Sequence, residues 1–296
     1  MKILYIGSSG VMSYLPLKAL LDKGFEIDAI AVDDTVDHAN SINCIPLTDV
    51  SARTIQALAY TYNIAIIKLA DDLSDSVNQI QLFRPDLILV SCYARILPVS
   101  IISIPKRGCY NIHPSLLPAY PGPDPVFWQL NAGESTMGVS IHRVTDVIDG
   151  GAILIQAAVT LKTGLSKLEI DTVLAATSAD LLITALQDFK EYQNAERKQR
   201  KLPAHSAAAY RSFAELSDVN LSSNWPARRL YNFICAYAAA DTYFNCSVNQ
   251  QLFQLVRAID FNAQKKLDVA YRIEGNIITF ACSPGLIQCQ LCEYDL

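Results

Sequence analysis

The chain is short of the features that would place it outside the ordinary globular class. Only 18% of its 296 residues are charged and 51% are apolar, which excludes a disordered chain, and 12 glycines and 13 prolines without a repeat exclude a collagen-like one. Eight cysteines (Cys44, Cys92, Cys109, Cys235, Cys246, Cys282, Cys289 and Cys292) are too few and too scattered for a disulfide scaffold and read as reduced thiols. No apolar run reaches the ~18 residues that span a bilayer. The longest candidate, near Leu87 to Ile104, is broken by Arg95 and Pro98. The apolar start is cut short at Gly7-Ser8-Ser9-Gly10, which suits a strand and turn better than a leader, so a soluble, cytoplasmic protein is expected. Basic charge is scarce as well. With 24 Lys and Arg against 29 Asp and Glu, the net charge of −5 speaks against a broad basic face for a phosphate backbone.

What is present is a βαβ rhythm. Lys2–Ile6, Ile27–Val32, Ala65–Leu69 and Leu87–Val90 read as buried strands, and Val11–Asp22 and Ala52–Tyr62 as helices. That alternation predicts an α/β fold, a Rossmann-like domain with a mostly parallel sheet and its ligand crevice beyond the carboxyl ends of the strands. Gly108–His113 is a further strand, running into a loop punctuated by Pro114, Pro118, Pro121, Pro123 and Pro125; Val126–Asn131 suits a short helix. Gly138–Val144 and Ala152–Thr160 read as strands flanking the turn Thr145–Gly151, and a helical period over 166–193 predicts one long amphipathic helix.

A charged, apolar-poor stretch with five basic and three acidic residues over Gln187–Lys201 marks a linker. The expected organisation is a catalytic domain over 1–190, a linker over 191–210 and a C-terminal β-rich, barrel-like (OB-like) domain over 211–296. The last would hold one helix (Pro226–Ala238) and short strands at Thr242–Cys246, Gln251–Ile259, Ala270–Glu274, Ile277–Cys282 and Leu286–Glu293.

Chemistry concentrates in Cys109-Tyr110-Asn111-Ile112-His113-Pro114. In a strand Asn111 and His113 share a side, and Pro114 stops the strand just past them. An amide that can donate to a developing oxyanion then stands beside an imidazole that moves protons near neutral pH, a pairing suited to acyl chemistry. For a lone histidine, capping of local backbone is the commoner role; the neighbouring amide reverses that weighting. A carboxylate is the usual third member. Asp149, in a glycine-bearing turn, is the candidate, and Asp146 its rival. The chain has no Gly-x-Ser-x-Gly elbow, which argues against a covalent acyl-enzyme and for direct attack by the substrate's own nucleophile. Cys289-Gln290-Leu291-Cys292 lacks a second ligand pair, so no metal is expected. Gly7 and Gly10 do not complete a dinucleotide fingerprint.

Asn111-Ile112-His113 followed by Ser115-Leu116-Leu117-Pro118, then Gly138-Val139-Ser140-Ile141-His142 and Ile148-Asp149-Gly150-Gly151-Ala152, resembles the signature of the folate-dependent formyltransferases. That family includes methionyl-tRNA, glycinamide ribonucleotide and sugar N-formyltransferases. Pro85-Asp86-Leu87-Ile88, Tyr93-Ala94-Arg95-Ile96-Leu97-Pro98 and Trp225–Ile234 also resemble family stretches. The resemblance implies that Asn111, His113 and Asp149 are catalytic and that the formyl donor is 10-formyltetrahydrofolate. It implies that Arg95, Ile96 and Leu97, with Val144, Thr145, Asp146 and Ile148, hold the folate, and that Ser115, Tyr120 and Trp128 meet the acceptor.

Departures from the family pattern bear on the acceptor. Tyr120-Pro121-Gly122 stands where much of the family has Arg-Gly, residues 24–52 contain no Lys or Arg, and residues 206–296 carry seven basic against eight acidic side chains. The expected activity is therefore N-formylation of a small-molecule primary amine, a nucleotide-linked amino sugar being the favoured example, with a homodimer allowed. Methionyl-tRNA formylation is the alternative, and formyltetrahydrofolate hydrolysis or non-catalytic folate binding are further ones.

Overall fold

The computed structural model describes residues 1–33, 54–200, 210, 212–213, 221–239 and 242–292. The helix start at Ala52, the acidic Asp34, Asp37 and Asp49, the Cys44 thiol and residues 201–209 of the expected linker lie outside the described residues.

In chain order the larger sheet is built from β1 (Ile3–Gly7), α1 (Val11–Asp22), β2 (Ile27–Asp33), α2 (Ile55–Tyr62), β3 (Ala65–Leu69), α3 (Val77–Phe83), β4 (Leu87–Ser91), α4 (Val99–Ile102) and β5 (Cys109–His113). After α5 (Pro125–Ala132) come β6 (Thr136–Arg143), β7 (Ile153–Thr160), α6 (Lys167–Gln187) and α7 (Phe189–Asn194). Its seven strands run in the order β3-β2-β1-β4-β5-β6-β7, with β1 to β5 parallel and β6 antiparallel to β5. The fold is the mostly parallel α/β sheet that the alternating runs predict. Every residue of β1 and β4 is buried, as continuous apolar strands covered on both faces require. One apolar cluster of this sheet joins Leu4, Ile6, Ala29, Ile67, Ile88 and Val90 to Leu97, with Tyr93 and Val144 packed against it.

Strand order turns between β1 and β4, and the junction is stitched together. Pro16 inside α1 has no N–H to give to the Met12 carbonyl, and the Ser91 hydroxyl at the end of β4 donates there instead, at 2.7 Å. The Ser13 hydroxyl returns the contact by donating to the Ser91 carbonyl at 2.7 Å.

Where the sequence predicts one helix over 166–193, the structure breaks it at Asp188, which leaves helical geometry with φ −123° and ψ 44°. Asp188 then opens α7, its carbonyl accepting from the N–H groups of Glu191 and Tyr192. The break lets Phe189 turn inward, 5% exposed, onto the edge of the Tyr110 ring. A hydrophobic period cannot register this, because Phe189 keeps the period while the backbone around it changes direction.

The chain divides into two compact units, one of Met1–Pro123, Gly138–Val159 and Asp171–Arg211, the other of Asp124–Met137, Thr160–Ile170 and Ser212–Leu296. The second unit contains α5 and a six-stranded, mainly antiparallel sheet. That sheet is formed by β8 (Leu221–Ser222), β9 (Phe244–Val248), β10 (Gln251–Asn262), β11 (Tyr271–Glu274), β12 (Ile277–Ala281) and β13 (Leu286–Leu291), in the order β11-β12-β13-β10-β9-β8. Its helix α8 (Ala227–Tyr237) buries Ala227, Leu230, Phe233 and Ile234 at helical spacing. Phe233 meets Phe127 of α5 edge-on, with ring centroids 5.6 Å apart. Among the described residues no helix is long and apolar enough to cross a membrane.

Leu4 is fully buried within the apolar cluster of the larger sheet. Leu4→Ala is expected to cost about 2–5 kcal/mol, read as a lower urea midpoint with an unchanged slope.

Candidate active site

Asn111 and His113 sit two residues apart on β5, so their side chains leave the same face, and Pro114 follows directly. The register of β5 against β6 sets His142 opposite Asn111, with Asn111 Nδ2 3.4 Å from His142 Nε2. His113 and His142 are 4% and 2% exposed, their rings edge to face.

The carboxylate arrives from the turn after β6. Asp149 has φ 49°, in the left-handed region that few non-glycine residues adopt. Beside it Gly151 has no room for a side chain, since a Cβ there would stand 1.8 Å from the Arg143 carbonyl oxygen. The turn brings Asp149 Oδ1 to 3.3 Å from His142 Nε2 and Oδ2 to 3.6 Å from His113 Nδ1. Oδ2 also accepts the N–H of Gly122 at 2.7 Å. Asp146, the rival carboxylate, is exposed.

His113 Nε2 lies 2.9 Å from the Tyr120 carbonyl oxygen. Since a carbonyl only accepts, this nitrogen carries the proton, and in the neutral ring Nδ1 is the basic one. The Pro114–Tyr120 loop that supplies the carbonyl is braced from beneath. Ser115 is fully buried and its hydroxyl donates to the Ala119 carbonyl at 2.6 Å, so its part is to hold this loop. The Ser140 hydroxyl donates to the Ser115 carbonyl at 2.6 Å, and the Gln156 amide donates to the Leu117 carbonyl at 3.0 Å.

Burial penalises the charged form of His113 and lowers its pKa below the ordinary 6.5, with Asp149 pulling the other way. Burial also opposes ionisation of Asp149. The charge available on His113, the hydrogen bond and charge of His142 and the Gly122 N–H together outweigh it and hold the carboxyl well below its ordinary value. The resting site is thus an ionised carboxylate beside a neutral His113.

A family model described as formyl transferase matches residues 17–186, more than half of the chain. The chain belongs to the formyl transferase family. It is 28% identical over 237 residues to a methionyl-tRNA formyltransferase of Syntrophomonas wolfei, covering 80% of this chain and 72% of that one. Among solved structures it resembles an N-formyltransferase of Helicobacter canadensis in complex with folinic acid and dTDP-3-aminofucose. There the TM-score is 0.70 at 15% identity, over 98% of this chain and 99% of that one. A sugar 3N-formyltransferase, WlaRD, has TM-score 0.66 at 16% identity, over 100% and 99%. The chain is accordingly an enzyme of formyl transfer, and the two solved structures share its fold.

The residues expected to hold folate fall into two groups. Leu97 and Val144 lie against the same apolar cluster of the large sheet, while Ile96 and Ile148 are exposed, at 72% and 43%. Apolar side chains left open on two loops of one unit are the kind of surface a flat heterocycle covers. The Arg95 guanidinium is spent within the protein, donating to the carbonyls of Ala70 (2.9 Å) and Asp71 (3.0 Å) and pairing with Asp33. Thr145 braces its own turn, its hydroxyl 3.2 Å from both the N–H and the carbonyl oxygen of Val147. Trp128 belongs to the second unit, where its indole N–H donates to the Ser212 carbonyl at 3.2 Å. Among the described residues no group of three His, Cys, Asp or Glu is placed to hold a metal.

His142 is the site residue to which the sequence alone assigns no role. Its signal lies in strand pairing: once β5 and β6 are antiparallel neighbours in this register, the residue opposite Asn111 is a histidine.

Because the native Asp149 carboxyl ionises below the ordinary 3.8, its stabilising share is complete above that pH and is lost as pH falls below it. Asp149→Asn is expected to unfold at lower urea than the parent at about pH 5, with the gap narrowing only as pH falls below about 4. A gap that widens below about pH 4 contradicts this.

Proposed function

We propose that the chain transfers a formyl group from 10-formyltetrahydrofolate to the primary amine of a small molecule, a nucleotide-linked amino sugar being the favoured acceptor. The observation that carries the reading is the meeting of Asn111, His113 and Asp149 around His142 in a chain of this family. The donor, as substrate, supplies a formyl carbon activated by its N10 nitrogen. The amine nitrogen attacks that carbon, a new C–N bond forms, and the carbonyl oxygen becomes an oxyanion. Asn111 donates to it through its side-chain amide. His113, neutral at rest, takes the proton the amine sheds and as imidazolium adds its charge near the oxyanion. The Asp149 carboxylate keeps the imidazolium stable. When the bond to N10 breaks, the proton is returned to N10, so the catalytic groups end as they began.

The acceptor assignment rests on charge and on the company the fold keeps. Residues 24–52 have no Lys or Arg, and Tyr120-Pro121-Gly122 lacks the family's basic group. The Helicobacter canadensis protein is bound to a dTDP-linked amino sugar. A second reading, methionyl-tRNA as acceptor, is favoured by the sequence relatives, which carry that activity in their names.

Purified protein supplied with 10-formyltetrahydrofolate is expected to formylate a dTDP-3-amino sugar and to leave methionyl-tRNA unmodified, with product mass as the readout. Formylation of the tRNA alone would transfer the assignment to the second reading. His113→Ala should lower kcat by about 10²–10⁴-fold and Asn111→Ala by about 10²–10³-fold. Both should bind 5-formyltetrahydrofolate within about threefold of the parent, since neither change removes apolar contact area. Full activity of His113→Ala would exclude His113 as the group that takes the amine proton.

A further inference from the structure

The family match ends at residue 186, yet the backbone of the Asp149 turn is gripped by residues beyond it. Following α7, the chain runs as a strap along the edge of the first unit. Arg197 exchanges two backbone hydrogen bonds with Ile153, at 2.8 and 3.0 Å, which ties the strap to the strand that leaves the turn. Two residues later the Gln199 side-chain amide donates both of its hydrogens, to the Asp149 carbonyl at 2.6 Å and the Gly151 carbonyl at 2.8 Å. One residue before Arg197, Glu196 takes Arg143 in a two-pronged ion pair, Oε1 at 2.7 Å and Oε2 at 3.1 Å. Tyr110 closes the group. Its hydroxyl meets Glu196, accepts from Arg143 at 2.6 Å and from the Gln193 amide at 3.1 Å, while the guanidinium lies 4.9 Å from its ring centroid.

These contacts fall on both sides of the carboxylate. Arg143 is where β6 ends and the turn begins, and its carbonyl oxygen faces His142 Nδ1 at 3.0 Å and walls in Gly151. Asp149 holds a left-handed φ, a conformation that is strained for a non-glycine residue and persists where surrounding contacts over-determine it. A carbonyl buried beside such a residue needs a donor, and a single glutamine with two amide hydrogens serves the carbonyls on either side of Gly150.

We infer that the 196–199 strap, through Gln199 and with Glu196 at its start, is a positioning element that holds the Asp149 turn in its active geometry. The strap touches no reacting atom. It acts on where the carboxylate points, and so on His113 and His142. The catalytic relevance rests on the proposed function; the mechanical part does not.

The experiment uses the full chain and three variants, Gln199→Ala, Gln199→Glu and Glu196→Gln. Gln199→Glu keeps the shape and removes the donors, setting an acceptor against two carbonyl oxygens. Peptide-level hydrogen exchange over residues 145–151 is expected to quicken by about fivefold or more in both Gln199 variants, with exchange in β1 and β4 unchanged. In formyl transfer to the amino sugar, kcat should fall about ten- to a hundredfold in both, and less in Glu196→Gln, which keeps part of the contact to Arg143. KM for the folate donor should stay within about threefold of the parent's, a split that general loss of folding does not produce. Unchanged exchange over 145–151 overturns the inference, and so does unchanged kcat with quickened exchange. A parent protein that transfers nothing to any amine counts against the proposed function, and the exchange data then decide the strap alone.

Discussion

The buried contact of one carboxylate with two imidazoles organises this enzyme. Removing Asp149 from water carries a heavy penalty, which is met by the Gly122 N–H, donating to Oδ2, and by the two imidazoles that lie against the carboxylate. Each partner comes from a different part of the chain. His113 ends a parallel strand, His142 lies on the antiparallel strand beside it, Gly122 follows the proline-rich loop, and the carboxylate itself swings in from a turn with a left-handed backbone. For all of them to meet, the β5 and β6 register, the Pro114–Tyr120 loop and the Asp149 turn must be right at once, which makes the site a sensitive reporter of the fold around it.

Much of this arrangement is legible in the sequence. The continuous apolar runs at Leu4, Ile30 and Leu89 suit strands buried on both faces, and the mixed segments between them return the chain along the sheet. Asn111 and His113 can be placed together because a strand has period two and Pro114 marks its end. The choice between Asp146 and Asp149 is not legible from spacing, since both lie in one turn and only the path of that turn decides which is buried. His142 belongs to a recognisable motif, yet nothing along the chain says which residue will face Asn111 across a ladder. Phe189 hides the end of α6, because it continues the apolar period while the helix axis stops at Asp188. Gln199 is the least visible of all. It sits in a charged stretch that composition marks as a linker, and its importance lies in hydrogen bonds to carbonyl groups, which carry no residue identity.

The same contrast runs through the acceptor question. Sequence relatives are named for methionyl-tRNA, while two solved structures of the same fold are a sugar formyltransferase and an N-formyltransferase bound to an amino sugar nucleotide. The proposed catalytic groups would be indifferent to this choice, as an amine presents the same nitrogen to the formyl carbon in either case. Selection belongs to the surfaces around them, and the poverty of basic residues over 24–52 is an electrostatic argument against a polyanion, not against an amine.

A crystal structure of the protein with 5-formyltetrahydrofolate and an amino sugar nucleotide reaches the central spatial claim directly. The formyl oxygen is expected within about 3 Å of the Asn111 amide nitrogen, with the His113 ring adjoining the formyl group and Asp149 still against both histidines. A formyl group bound away from Asn111 and His113, or an Asp149 carboxylate turned out to solvent in the complex, would contradict it.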